Sequence, residues 1–363
     1  MVDHSSPPRP PLSTASLIIR LASIGVVVAV VAGAFAYVNG SLDPQRLRPK
    51  TLVNALETNN GLHPGYRRNH AKGVCVAGYF ESSPEARQYS SAQVFSEART
   101  PVIGRFALPS GNPYAPDSSV PIRSFALQFS LANGQQWRTG MNSMPVFPVG
   151  TPEAFFEMLK AGAPDPATGK PNPAGMPAFF AAHPETAPFL AWVKTAKPSA
   201  SYATETYNGI NAFYLVNASG QRQAVRWGVV PQSQDAAGAT APAGSDFLEK
   251  DLAQRLVAGP LRWQLNLTLA NPGDPGDPVD DASKTWTGEH KVLNAGTLVL
   301  ESSQPQMDGD CRDINFDPLV LPSGIEASND PLLAARSAAY ASSYLRRTSE
   351  VSQLHSAPKE SKP

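Results

Sequence analysis

Residues 66–80 read Tyr66-Arg67-Arg68-Asn69-His70-Ala71-Lys72-Gly73-Val74-Cys75-Val76-Ala77-Gly78-Tyr79-Phe80, a basic, polar approach that gives way at a glycine to an apolar run. A short run rich in valine and aromatic residues reads as a β-strand, so the imidazole of His70 stands at the mouth of a sheet. Imidazole titrates near neutral pH and can take and return a proton, which suits general acid–base work. A single histidine before a strand is, by itself, more often a surface or hydrogen-bonded residue.

Working outward, further strand signals fall at 102–108, at 122–131 with the alternation SFALQFSL, and at 212–217 and 223–230 around the turn Ala218-Ser219-Gly220. Later ones fall at 262–270 and 296–302. Helical signals cover 152–161, with a first-turn proline and Glu153 beside it, then 176–183, 187–195, 245–257 and 331–347. Segments 164–177 and 232–244, rich in Pro, Gly and Ala, read as surface loops. Strands first and helices mixed in later indicate an α+β fold, an antiparallel sheet or barrel with surrounding helices.

The 363-residue chain carries 30 basic and 30 acidic side chains. Zero net charge without a Lys/Arg block argues against a nucleic-acid partner, whose phosphates need a basic surface. The six histidines show no paired metal spacing, and no Cys-x-x-Cys occurs, which excludes a zinc or dithiol-redox centre of ordinary pattern. Cys75 and Cys311 allow at most one bridge and, far apart in sequence, are read as free, buried thiols.

Residues 21–38, LASIGVVVAVVAGAFAYV, hold no charge, and as a helix rising about 1.5 Å per residue they nearly cross a hydrocarbon core of about 30 Å. The chain therefore divides into a short tail (1–20), a transmembrane helix or signal anchor (21–38), a linker (39–50) whose connecting stretch runs on to residue 60, a body (51–350) and a disordered polar tail (351–363). Ala34-Phe35-Ala36 resembles a signal-peptidase site, so secretion after cleavage competes with a retained anchor. The anchor is the preferred reading, with the body exported to the periplasmic side.

In Asp330-Pro331-Leu332-Leu333-Ala334-Ala335-Arg336-Ser337-Ala338-Ala339-Tyr340, Arg336 and Tyr340 stand at i and i+4 on one helical face. A guanidinium beside a phenol favours phenolate, an anionic oxygen able to hold ferric haem iron. Arg-x-x-x-Tyr is weak alone, but it has context: the stretch 66–80, Thr-Pro-Val-Ile-Gly-Arg-Phe at 100–106, Asn-Ser-Met-Pro-Val-Phe at 142–147, and Phe-Asp-Pro-Leu-Val-Leu-Pro-Ser-Gly-Ile-Glu at 316–326. In that order these motifs resemble the haem catalases, specifically the short, exported branch called catalase-related peroxidases, over roughly residues 45–350.

The resemblance implies a haem b enzyme on a catalase-like antiparallel β-barrel. Tyr340 would be the iron ligand and Arg336 the group holding it as phenolate. His70 would be the distal acid–base residue, and Asn142, three before Pro145, would hydrogen-bond the peroxide. Arg67, Arg105 and Arg347 would meet haem propionates, and Phe155 would pack on the distal face. The implied reaction is reduction of hydrogen peroxide or organic hydroperoxides by an unidentified external donor, with weak catalase activity, in peroxide defence. A fatty-acid hydroperoxide isomerase or dehydratase on the same scaffold, and a non-enzymatic haem- or lipid-binding barrel, are the rival readings.

Several positions depart from full-length catalases. The chain stops soon after the last helix, so no NADPH site is expected. Pro121 stands where a channel carboxylate is usual, and Ala107 where a serine supports the distal histidine. Asn69 replaces an apolar channel residue, and Tyr344 offers a competing phenol one turn beyond Tyr340.

Overall fold

A computed structural model describes residues 13–38, 47–233 and 244–356. The N-terminal tail at 1–12, residues 39–46 of the linker, most of the loop at 232–244, and the end of the polar tail at 357–363 lie outside the described residues. Contacts divide the chain into two units, residues 1–48 and 49–363. The first contains helix α1 (Thr14–Val38), 25 residues with none buried, long and apolar enough to cross a membrane; a signal sequence has the same properties.

Among its described residues the second unit has ten strands: β1 (Gly73–Ser82), β2 (Thr100–Ala107), β3 (Ser124–Ser130), β4 (Gln136–Asn142), β5 (Tyr207–Asn208), β6 (Phe213–Val216), β7 (Arg222–Pro231), β8 (Leu261–Leu269), β9 (Val292–Pro305) and β10 (Ile325–Ala327). Eight of them close a ring through antiparallel pairs in the order β1-β2-β3-β4-β5-β7-β8-β9 and back to β1. Strands β6 and β10 extend outward from β7. Closure removes the free strand edges of an open sheet.

Alternation along the strands sends one set of side chains inward. Phe106 and Phe125, cross-strand partners, stack at 4.1 Å between ring centroids, and Phe129 stacks on Trp137 at 4.7 Å. These rings are fully buried and fill the barrel. The other face of β2–β4 carries Arg105, Ala107, Ser124, Ala126, Gly140 and Asn142, all spaced by two, and this face looks onto a cavity.

Helices α2 (Pro49–Asn60), α3 (Pro152–Ala161), α4 (Gly175–Ala182), α5 (Ala187–Thr195), α6 (Phe247–Ala258) and α7 (Pro331–Ser356) surround the barrel. Thr151 caps α3, its hydroxyl accepting the Ala154 N–H at 3.2 Å ahead of Pro152 in the first turn. Helix α2 occupies the end of the connecting stretch and the start of the body, and α7 runs on to Ser356, into the segment read as a tail. Buried Arg68 joins them, bonding Glu57 of α2 and Glu350 of α7, while Arg346 reaches Glu57 at 2.5 Å.

The reading of two free thiols is corrected. Cys75 and Cys311 form a disulfide, with Cα atoms 5.3 Å apart across 236 residues of sequence. Pairing of β1 with β9 sets Cys75 opposite Gln304, and the chain folds back after Pro305 to bring Cys311 onto it. Sequence separation carried no information about that distance. Both sulfurs are buried, as expected of them.

Three strands escaped the sequence reading: β4, β5 and β10, the last of only three residues. The run of β4, Gln-Trp-Arg-Thr-Gly-Met-Asn, is polar on the face that borders the cavity; Asn133-Gly134 in the loop before it, with Gly134 at φ +81°, is the hairpin signal that marks it. Strand β5 has only two residues, too few for any periodicity.

Candidate functional site

A cavity of about 420 Å³ lies between the outer face of β2–β4 and helices α2, α3, α5 and α7. All eight residues singled out from the sequence, Arg67, His70, Arg105, Asn142, Phe155, Arg336, Tyr340 and Arg347, line this one space. Among the described residues, no aspartate or glutamate does. Five arginines border it, and among them Arg68 already has two carboxylate partners.

One wall is α7. Asp330 precedes this helix and accepts the Leu332 N–H at 2.9 Å, an N-terminal cap that starts the helix in register. Arg336 then reaches three acceptors: the Asn211 side-chain oxygen, the Gly140 carbonyl at 3.3 Å and the Tyr340 hydroxyl at 3.4 Å. Asn211, fully buried, is itself held by its Nδ2, which donates to Asp330 at 2.7 Å. A side chain at Gly140 would put a Cβ 3.1 Å from the Arg336 guanidinium, so glycine leaves it room. Tyr344 also lines the cavity, with the Arg347 guanidinium 5.3 Å from its ring, but of the two phenols on this cavity Tyr340 is the one whose hydroxyl takes a guanidinium hydrogen bond.

Across the cavity, His70 has φ +56°, the left-handed conformation that non-glycine residues seldom adopt. The turn is held by its own N–H on the Asn69 side-chain oxygen at 3.0 Å and by the next N–H, of Ala71, on the Ser110 carbonyl at 2.7 Å. Such backbone strain persists only where the surroundings enforce it, and it is concentrated at working sites. Burial, with Arg105, Arg336 and Arg67 adding to it, lowers the His70 pKa to about 3, so the ring is neutral at ordinary pH. Its Nδ1 is buried without a hydrogen-bond partner.

The strand registers set one rung across four strands: Gly73 opposite Ala107, Ala107 opposite Ser124, Ser124 opposite Asn142. Ser124 Oγ donates to Asn142 Oδ1 at 2.6 Å. Neither Ser124 nor Asn211 was singled out from the sequence, and no local signal marks either one, because each acts through a partner distant along the chain.

The third part is a basic end. Arg67 donates to the carbonyls of Cys311, Arg312 and Ile314 at 3.1, 3.2 and 2.9 Å, and Arg347 to that of Arg312 at 2.5 Å. Arg105 bonds the Ala71 carbonyl and the Gln306 side chain. Burial lowers the Arg105 pKa to about 10 and pushes that of Arg67 well down. The Nε groups of Arg105 and Arg347 are buried and unpartnered. Cations gathered in a low-dielectric space, where the nearby carboxylate is the exposed Asp313 at 3.7 Å from Arg347, suit an anionic ligand. Apolar walls, a basic end, a phenol on one side and an imidazole on the other fit a flat, apolar cofactor that carries carboxylates and a metal, as haem does.

A family model described as Catalase matches residues 40–357. The chain is 39% identical to a catalase-related peroxidase of Synechococcus elongatus over 92% of this chain and 96% of that one. It is 30% identical to a catalase-related peroxidase of Mycolicibacterium paratuberculosis, over 83% and 95% respectively. Among solved structures, catalase A of Saccharomyces cerevisiae superposes with a TM-score of 0.70 at 20% identity, covering 82% of this chain and 64% of that one, a likeness of fold. Matched along nearly all of its length beyond α1, and to relatives of its own size, this chain belongs to the catalase family.

Proposed function

We propose that this chain is a haem b peroxidase that reduces hydrogen peroxide or organic hydroperoxides at the expense of an external electron donor. The observation that carries the reading is one cavity in which a guanidinium-bonded phenol stands across from a neutral, half-buried histidine and an asparagine, with no carboxylate among the described lining residues. Relatives of matching length are named catalase-related peroxidases.

Tyr340 is the residue that would bind iron, and Arg336, donating to its oxygen, would stabilise negative charge there. Arg67, Arg105 and Arg347 would receive the haem carboxylates, and Phe155 on α3 would pack against the ring. Bound haem would supply the redox chemistry that passes two electrons from the external donor to the O–O bond of the peroxide. His70, kept neutral by desolvation and the arginines near it, would accept the first proton of the peroxide and deliver it to the departing oxygen. Asn142 would hold the peroxide in line for that transfer.

The site is assigned to the exported side of a membrane held by α1. Two features support this: the apolar length of α1, and a disulfide in the body, a bond that persists in oxidising compartments.

The test is haem titration of the purified protein, followed by peroxide with and without a phenolic donor. Stoichiometric haem and donor oxidation that disappears in His70→Ala are expected. Absence of haem binding would overturn the reading, and conversion of lipid hydroperoxides without any donor would favour an isomerase instead.

A further inference from the structure

Resting on that reading of the site, we propose that Ser124 is the positioning residue for Asn142, and that the hydroxyl on this rung of the barrel serves the amide rather than the imidazole. Ser124 is the first residue of β3 and Asn142 the last of β4, directly opposed in the ladder. Opposed side chains lie within reach of each other without any distortion of the strands. The Ser124 hydroxyl is 6% exposed as a residue and 2.6 Å from Asn142 Oδ1.

The chemistry of the pair follows from its inventory of donors. A side-chain amide has an acceptor end and a donor end of nearly the same shape, and nothing but its hydrogen bonds decides which end faces a ligand. A hydroxyl donating to Oδ1 holds the oxygen against the barrel wall and leaves the two N–H groups for the cavity. Asn142 then meets a peroxide as a donor, the role that leaves proton acceptance to His70.

The frame around the pair is stiff. Arg123 and Ser143, the neighbours of the two residues, exchange bonds: the Arg123 N–H donates to Ser143 Oγ at 3.0 Å and the Ser143 N–H to the Arg123 carbonyl at 2.8 Å. Arg123 is fully buried, its guanidinium fixed to the Val120 and Ser199 carbonyls at 2.8 and 3.0 Å. The rung therefore presents Ser124 at a constant height to Asn142. On its other side stands Ala107, without a hydroxyl, and the His70 Nδ1 is unpartnered.

The experiment uses the full chain loaded with haem, in the wild type, Ser124→Ala, Ser124→Thr, Asn142→Ala and the double variant Ser124→Ala/Asn142→Ala. Two quantities are read: the C–O stretching band of the ferrous carbonyl form, which reports hydrogen-bond donation at the ligand, and the rate of reaction with hydrogen peroxide. Ser124→Ala is expected to shift or split the band and slow the reaction about tenfold, while Ser124→Thr keeps both at wild-type values. In the Asn142→Ala background the same serine change is expected to do nothing more, since the effect travels through the amide. An unchanged band and rate in Ser124→Ala, or an equal effect with Asn142 already removed, would overturn the inference. A wild-type protein that takes up no haem would instead sink the functional reading, a result distinct from either.

Discussion

Ala107 faces Ser124 across the β2–β3 ladder, and of this pair only Ser124 carries a hydroxyl, which bonds Asn142 while His70 Nδ1 on the same wall goes without a partner. The distal side is thus anchored at its amide and unanchored at its imidazole. A ring whose Nδ1 is unanchored reorients more freely, and general acid–base transfer depends on orientation.

Ala107→Ser is therefore expected to raise the rate of reaction with peroxide several-fold, by giving the imidazole a hydroxyl partner. Stopped-flow measurement of the haem-loaded protein checks this. A rate at or below that of the wild type would mean that the ring is already held in its working orientation.

Tyr340→Phe removes the hydroxyl that Arg336 touches at 3.4 Å. The ferric haem spectrum is expected to lose its phenolate-ligated form, or the protein to lose haem altogether. Tyr344→Phe, one turn further along α7, is expected to leave the spectrum unchanged. The reverse pattern would move the ligand to Tyr344.

Loss of the Cys75–Cys311 bond acts twice. It frees a loop of more than two hundred residues in the unfolded chain, an entropic change of about 5 kcal/mol in the loop-closure account. It also loosens the 311–314 segment, whose carbonyls hold Arg67 and Arg347. Cys75→Ser is expected to melt well below the wild type and to release haem faster, both measurable by thermal scans and by transfer of haem to an acceptor protein. Equal melting temperatures would show that the barrel carries the stability unaided.

The haem-free protein has a pH dependence with a definite sign. His70 is depressed to about 3 in the fold, chiefly by burial, and returns to about 6.5 when unfolded. Between those values the unfolded chain binds the extra proton, so stability is complete above about pH 6.5 and falls as the pH drops toward 3. The slope from this residue is roughly 1.4 kcal/mol per pH unit. His70→Asn, a residue that tolerates the left-handed backbone, should remove that share of the slope. Urea unfolding of both proteins at pH 7, 6 and 5 measures the difference; parallel curves would mean that His70 is solvated in the apoprotein.

Much of the architecture is local and was legible in sequence. The alternation in SFALQFSL marks β3, the Thr-Pro-Glu start marks α3, and Arg336 and Tyr340 meet because four residues along a helix bring side chains to one face. His70 is conspicuous for the same reason, a polar, basic turn ahead of an apolar strand. That these residues gather with Asn142, Phe155 and the arginines was supplied by ordered motifs along the chain, not by any one spacing.

Tertiary structure alone decided the rest, and the reason is distance along the chain. Cys75 and Cys311 are 236 residues apart, and Arg68 reaches Glu350 across 282, so neither pairing leaves a periodic trace. The sequence by itself determined most of the segments that become strands and helices and which side chains hold reactive chemistry, because period and capping are written in neighbouring residues. Closure of the barrel decided which partners those side chains meet: Ser124 for Asn142, Asn211 for Arg336, and none for the Nδ1 of His70. Register between strands is a long-range property, and it is register that set Ala107, Ser124 and Asn142 on one rung.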